Sequence, residues 1–340
     1  MSKQTKHLSL ALQGGGAHGA FTWGVLDRFL EQEDLILDGF VGTSAGAMNA
    51  SVLAYGLHIG GRSTARELLH KFWKTNSEYA ARTPLQPTWM DGYFGLEGNM
   101  DYSPFYRATE VMSLFVSPYQ LNPTHHNPLR KILGDLVNFE ELQKCKVTKL
   151  YVCATNVRRG RAKVFNLSEM SLDAVLASAC LPTLFPAVTI NGEDYWDGGY
   201  MGNPPIFPLI SNTQCHDIML VQINPINIPD TPTSPEGIRD RINELSFNSS
   251  LMLEMRRVAF VDRLLKEGIN PGDEFQKIRM HNINPEEDLW ALNLSSKLNA
   301  SWGFLTKLKE LGRKYADKWL EQNLEHVGEK STCDIRKTFL

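Results

Sequence analysis

The pentapeptide Gly42-Thr43-Ser44-Ala45-Gly46 stands between an apolar run, Phe40-Val41, and a small-residue stretch containing Ala47, Met48, Ala50, Val52, Leu53 and Ala54. That order is strand, tight turn, helix. Glycines flanking a serine let the backbone double back without a Cβ clash, so the serine sits on a strained bend, clear of the sheet and at the positive end of the helix that follows. A chain with this junction is directed to an α/β architecture, and Ser44 becomes a candidate nucleophile. Taken alone, the pentapeptide also fits small residues placed at a turn only for packing.

A second glycine turn precedes it. Leu8-Ser9-Leu10-Ala11-Leu12 reads as a buried parallel strand, Gln13-Gly14-Gly15-Gly16-Ala17-His18-Gly19 as its loop, and Ala20, Phe21, Trp23, Val25, Leu26, Phe29 and Leu30 as a helix. Unobstructed N–H groups with a helix N-terminus behind them suit a negative charge. Gly14, Gly16 and Gly19 also satisfy a dinucleotide fingerprint, which requires an acid closing the second strand to hold the ribose. The acid at hand, Asp38, is expected before that strand, which ends instead in Gly42-Thr43-Ser44. An oxyanion hole accounts for both loops together, with donors from Gly14, Gly15 and Gly16 and the amide of Ala45.

The rest of the chain narrows the class. Its 340 residues and net charge of −3 allow one large α/β core with an elaborated end, or two domains, and provide no basic surplus for nucleic acid. Cys145, Cys153, Cys180, Cys215 and Cys333 are scattered and form no C-x-x-C pair, which fits a reducing compartment without disulfides or zinc. His125-His126 lacks a third ligand nearby, so no metal and no cofactor is expected. With no apolar leader and no run of about 18 apolar residues, a cytoplasmic protein is expected, with peripheral contact at a membrane or lipid granule, or export without a signal, left open.

Along the chain, residues 62–80 read as a helix. Residues 82–128 read as an irregular insertion rich in proline and aromatics, with one helix near 104–116, either walling the site or forming a plain excursion. A strand at 150–156 with a partner at 162–165, a helix at 172–180 and a hairpin at 185–196 lead to Asp197-Gly198-Gly199, which alone would pass for a turn. Residues 217–224 are expected to close the main sheet, and 225–237 to be a linker. Helices in two or three segments are expected over 238–265, then a strand at 277–283. An amphipathic helix at 301–325, bearing Trp302 and Trp319, is expected to dock on the protein's own core in preference to lipid. The polar end at 326–340 is expected to fray.

Gly14 to Gly19 after one strand, Gly42-Thr43-Ser44-Ala45-Gly46 after the next, and Asp197-Gly198-Gly199 together resemble the patatin-like phospholipase family over about residues 8–210, including Ala177-Ser178-Ala179, Phe185-Pro186 and Asn203-Pro204. The resemblance implies a three-layer α/β/α fold with a mostly parallel sheet, here as a catalytic domain at 8–224 and a helical extension at 238–325. It implies a Ser44–Asp197 dyad without histidine, an acyl-enzyme, and a lipid or other acyl ester as substrate. Gly19, Gly42, Gly46, Gly198 and Gly199 would support the motifs, as would His18, which stands where many members carry arginine or lysine. The helical tail is similar to a subgroup that includes polyhydroxyalkanoate depolymerases, so phospholipid and polyester both stand as substrates. Three rival readings remain: a triad completed by His216 or His281, a dinucleotide-binding module, and a non-catalytic lipid-binding protein.

Overall fold

The computed structural model describes residues 5–94, 97–269, 272 and 276–340. From the N-terminus come β1 (Lys6–Leu12), α1 (Gly19–Phe29), β2 (Leu35–Thr43) and α2 (Ala45–Ala80), the last broken at Gly61, whose φ of 76° is not helical. The insertion carries α3 (Trp89–Phe94), α4 (Pro104–Ser113) and α5 (Pro118–Leu121). Next are α6 (Pro128–Leu136), α7 (Phe139–Leu142), β3 (Lys149–Asn156), β4 (Arg161–Phe165), α8 (Leu172–Ser178), β5 (Val188–Ile190) and β6 (Glu193–Asp197). The chain ends in α9 (Phe207–Asn212), β7 (Asp217–Val221), α10 (Pro235–Lys266), β8 (Arg279–Ile283), α11 (Glu286–Leu289), α12 (Trp302–Asn323) and α13 (Ile335–Phe339).

The strands form one sheet in the order β5-β6-β3-β2-β1-β7-β8, with β4 also on β3. The strands β3, β2, β1, β7 and β8 run parallel, whereas β4, β5 and β6 are antiparallel. Side-chain alternation divides the interior in two. On β1, Leu8, Leu10 and Leu12 face a core with α1, α2, α6, α8 and α12, while Ala11 faces a second core with α9, α10 and α13. On β7, Met219 and Val221 join the first core, and Ile218 and Leu220 the second. The fold is therefore a three-layer α/β/α sandwich with a mostly parallel sheet and added C-terminal helices.

Several expectations are corrected. The strand at 217–221 does not close the sheet, because β8 pairs outside it. Asp38 does not precede β2 but sits within it, where the β1 register slips, and it bonds His7 at 2.8 Å. The helix after the linker is a single unit, α10, started by the Ser234 cap and Pro235. Only its later residues, such as Leu251 and Met255, are buried, whereas Ile238, Ile242 and Leu245 are exposed. The C-terminal end is not frayed: Gly328 N–H donates to Asp217 at 2.9 Å, and Val327 and Phe339 are buried. As expected, α12 lies on the protein's own core, with Leu305, Leu308, Ala316, Trp319 and Leu320 buried in it.

Candidate active site

Ser44 follows the end of β2 and caps α2 with φ 54° and ψ −120°, a left-handed conformation that is costly for serine. The bend is tight enough to exclude side chains on both flanks. A Cβ at Gly42 would stand 2.4 Å from the Gly46 carbonyl oxygen, and one at Gly46 2.2 Å from that of Leu12. Ser44 N–H donates to Ser178 Oγ at 2.9 Å, and Ser178 donates in turn to the Cys153 carbonyl at 2.5 Å. The elbow is thus tied to the end of β3, and Ser44 is only 8% exposed.

Asp197 reaches the same place from the other direction. It ends β6, opposite Ala154 of β3, while Thr43 pairs with Cys153 on the other edge of that strand. The next residue must cross the end of β3, where a Cβ on Gly198 would stand 2.1 Å from the Cys153 oxygen. Thr43 Oγ1 donates to the Gly202 carbonyl at 2.6 Å and fastens the crossing. Asp197 is fully buried; Oδ1 accepts from Gly199 N–H at 2.8 Å, and among the described residues Oδ2 has no hydrogen bond of normal geometry. Burial pushes its pKa up to about 7, against the pull of the Gly199 amide, the nearby Ser44 hydroxyl and the charge of Lys297.

The glycine loop runs beside the elbow. Among the described residues the N–H groups of Gly15, Gly16 and Ala45 have no protein acceptor, and Gly15 is buried while Gly16 is open. Gly14 differs from expectation: its N–H is committed to Asn203 Oδ1 at 2.7 Å, which leaves it no donor for a ligand. Gly19 opens α1, and its carbonyl accepts from Asn49 at 2.9 Å. His18 is buried, with Nε2 2.7 Å from Ser296 Oγ; burial, then Lys297, lowers its pKa to about 3, so it is neutral. Gly199 lies against the Phe247 ring of α10.

The histidines of the triad reading lie elsewhere. His281 bonds Asp217 through one nitrogen (3.0 Å) and Thr332 through the other (2.8 Å). His216 precedes β7, at the end of the parallel sheet opposite Ser44. Among the described residues no cluster of metal-ligating side chains is found. His125 rests against Tyr119.

A buried amide cage was not legible in the sequence. Gln13 Oε1 accepts from the N–H groups of Ile223 and Asn224, and its Nε2 reaches Asn203 O and Asn248 Oδ1. Asn224 Nδ2 donates to the Gly14 carbonyl at 2.7 Å, and Lys297 Nζ to Asn224 Oδ1 at 3.0 Å. Isolated Asn, Gln and Lys residues carry no pattern in a sequence, and topology alone assembles them.

A three-layer sandwich with a serine elbow and a buried aspartate at the C-terminal ends of its parallel strands defines a class of α/β proteins with hydrolase-like sites. Residues 10–210 match the family model described as patatin-like phospholipase, and the chain belongs to that family. No curated protein matches the sequence. Among solved structures, VipD from Legionella pneumophila aligns at 16% identity over 91% of this chain and 67% of its own, with a TM-score of 0.35. ExoU in its complex with SpcU from Pseudomonas aeruginosa aligns at 16% identity over 94% of this chain, with a TM-score of 0.37. The chain spans about half of that ExoU chain, 52%.

Proposed function

We propose that the protein is a serine acyl hydrolase acting on carboxylic esters of lipids, with Ser44 as nucleophile and Asp197 as its base. The observation that carries this reading is the buried carboxylate beside a serine elbow, held near neutrality and with one oxygen unbonded. A base of that strength is matched to a neutral working pH. As Ser44 Oγ attacks the ester carbonyl, its proton passes to Asp197 Oδ2, and the carbonyl oxygen becomes an oxyanion received by the amides of Gly15, Gly16 and Ala45. Collapse breaks the ester C–O bond, and the leaving alcohol takes the proton from Asp197. Water then attacks the acyl-enzyme and gives a proton to Asp197; Ser44 recovers it as the acid departs.

A lipid substrate is supported by the insertion, which exposes Trp89, Tyr93, Phe94, Leu114 and Phe115. The test is hydrolysis of a p-nitrophenyl ester series by the wild type, Ser44→Ala and Asp197→Ala, with folding checked by circular dichroism. Both variants are expected to lose about a thousandfold or more in kcat/KM. A folded variant that keeps wild-type turnover overturns the dyad. Parallel assays on phospholipid vesicles and polyester granules then select the substrate, with vesicles the expected choice.

A further inference from the structure

Lys297 belongs to none of the motifs, yet it packs on the glycine loop and, through the Phe247 ring, lies behind the Asp197 turn. It lies in a short helical turn, Ser296–Leu298, between α11 and α12. Its backbone packs on the glycine loop so closely that a Cβ at Gly16 would stand 2.3 Å from its carbonyl oxygen. Its ammonium donates to Asn224 Oδ1 at 3.0 Å and Asn243 Oδ1 at 3.4 Å, and Asn224 holds the Gly14 carbonyl. The same ammonium stands 5.7 Å from the centre of the Phe247 ring, which covers Gly199. Both hydrogen-bond partners are neutral amides, which fix the ammonium in place, while Asp240, Glu244 and Asp197 share its charge.

Resting on the hydrolase reading above, we propose that Lys297 is a positioning residue of the catalytic centre: it braces the glycine loop through Asn224 and places a buried positive charge behind Phe247 and Gly199, on the side from which Asp197 enters, where it favours the carboxylate over the neutral acid.

The charged surroundings agree. Facing Lys297 are Asp240 and Glu244 from α10, Asp197 at the end of β6 and His18 from the glycine loop. Burial pulls the lysine pKa down, and the three carboxylates oppose it. Asp240 is raised to about 6, chiefly by burial. His18 is neutral, so the glycine loop brings no charge of its own. Around Asp197, Cys153, Cys180 and Tyr200 are all pushed up by burial and stay protonated. Among the described residues, Lys297 is thus the cation acting on Asp197.

The experiment is the pH dependence of kcat/KM for a soluble, uncharged p-nitrophenyl ester, measured on the full chain with wild type, Lys297→Met, Lys297→Arg and Ser44→Ala. The acid limb reports the ionisation of Asp197 in the free enzyme. Removing a nearby positive charge makes that ionisation harder, so in Lys297→Met the limb moves to higher pH, by about half a pH unit or more, with kcat down about tenfold. Lys297→Arg returns the limb to its wild-type position. A folded Lys297→Met enzyme whose limb stays in place overturns the proposal, whatever its rate. Lys297→Gln is carried in parallel, since its amide keeps a donor for Asn224 and so keeps the loop braced if the methionine variant does not fold; its limb is read by the same criterion. If Ser44→Ala retains wild-type turnover, the hydrolase reading itself fails. If Ser44→Ala is inactive and the limb is unmoved, only the role of Lys297 fails.

Discussion

At the scale of single residues, the burial that would make Asp197 a usable base in the proposed mechanism costs the fold stability. Its carboxyl is raised from 3.8 to about 7, mainly by burial. Between those values the folded state keeps a proton that the unfolded chain has lost. Stability is therefore full below pH 4 and falls as the pH rises through 7, by about 4 kcal/mol in all. Asp197→Asn removes that slope, so the melting temperature of the variant minus that of the wild type is expected to grow from pH 5 to pH 8. A constant difference would mean that Asp197 stays ionised throughout. In the proposed mechanism the same carboxyl is expected to set the wild-type acid limb of kcat/KM near pH 7, with activity rising as Asp197 deprotonates. The turn at Ser44 and the crossing after Asp197 were legible because a tight strand-to-helix bend and a strand crossing each demand glycines at fixed offsets. The contacts of Gln13, Asn203, Asn224 and Lys297 were not, because they are made with partners brought from distant parts of the chain. The assignment of Gly14 as an oxyanion donor went astray for that reason, since Asn203 claims its amide.

At the scale of elements, periodicity identified α1 and α12 as helices but not how closely they meet. A Cβ at Gly312 of α12 would stand 2.0 Å from the Phe21 carbonyl of α1, and one at Gly24 1.9 Å from the Lys309 carbonyl. Both clashes are with backbone, which cannot rotate away. Gly312→Ala is expected to destabilise the protein by about 1–3 kcal/mol, seen as a lower urea midpoint, and an unchanged midpoint would show that the helices can separate at no cost. A second contact holds the C-terminal end. Asp217, fixed by Arg279, His281 and the Gly328 amide, is lowered to about 2 although burial alone would raise it. Its contribution is present above pH 4 and lost as the pH falls towards 2. Asp217→Asn is expected to speed proteolysis of residues 328–340 at neutral pH, and equal cleavage rates would contradict that anchoring. The strand pattern identified β7 and β8 but not their order, since an apolar run does not name its neighbour. On α10 the helical spacing was legible but not its burial, since the first turns leave Ile238, Ile242 and Leu245 in solvent.

At the scale of the molecule, the insertion and the C-terminal loop form one structure over the glycine loop. Asn299 donates to the Gly98 carbonyl (2.8 Å), Met100 N–H to Ser295 Oγ (2.8 Å), and Asn293 to Asp101 (2.7 Å). Ser296 and Lys297 of that loop touch His18 and Gly16. Glu110 of α4 bonds Arg239 of α10, so the exposed apolar residues of the insertion and of the first turns of α10 belong to connected elements. No described helix is long and apolar enough to cross a membrane. The lipid contact of the proposed function is assigned to such exposed apolar residues. Trp302 and Trp319 do not serve this purpose: Trp302 packs beside Trp23, and Trp319 against Phe29. Trp89 and Phe115, at 74% and 82% exposed, make little contact with the fold. Replacing both by glutamate should therefore leave stability and soluble-ester turnover within about twofold of wild type. Each large apolar side chain contributes about 1.5–3 kcal/mol when it leaves water, so loss of two predicts at least a tenfold fall in vesicle binding by sedimentation, with a matching fall in hydrolysis of vesicle lipid. Intact vesicle binding by the double variant would move the lipid contact away from α3 and the segment after α4, leaving Ile238, Ile242 and Leu245 as the next surface to test.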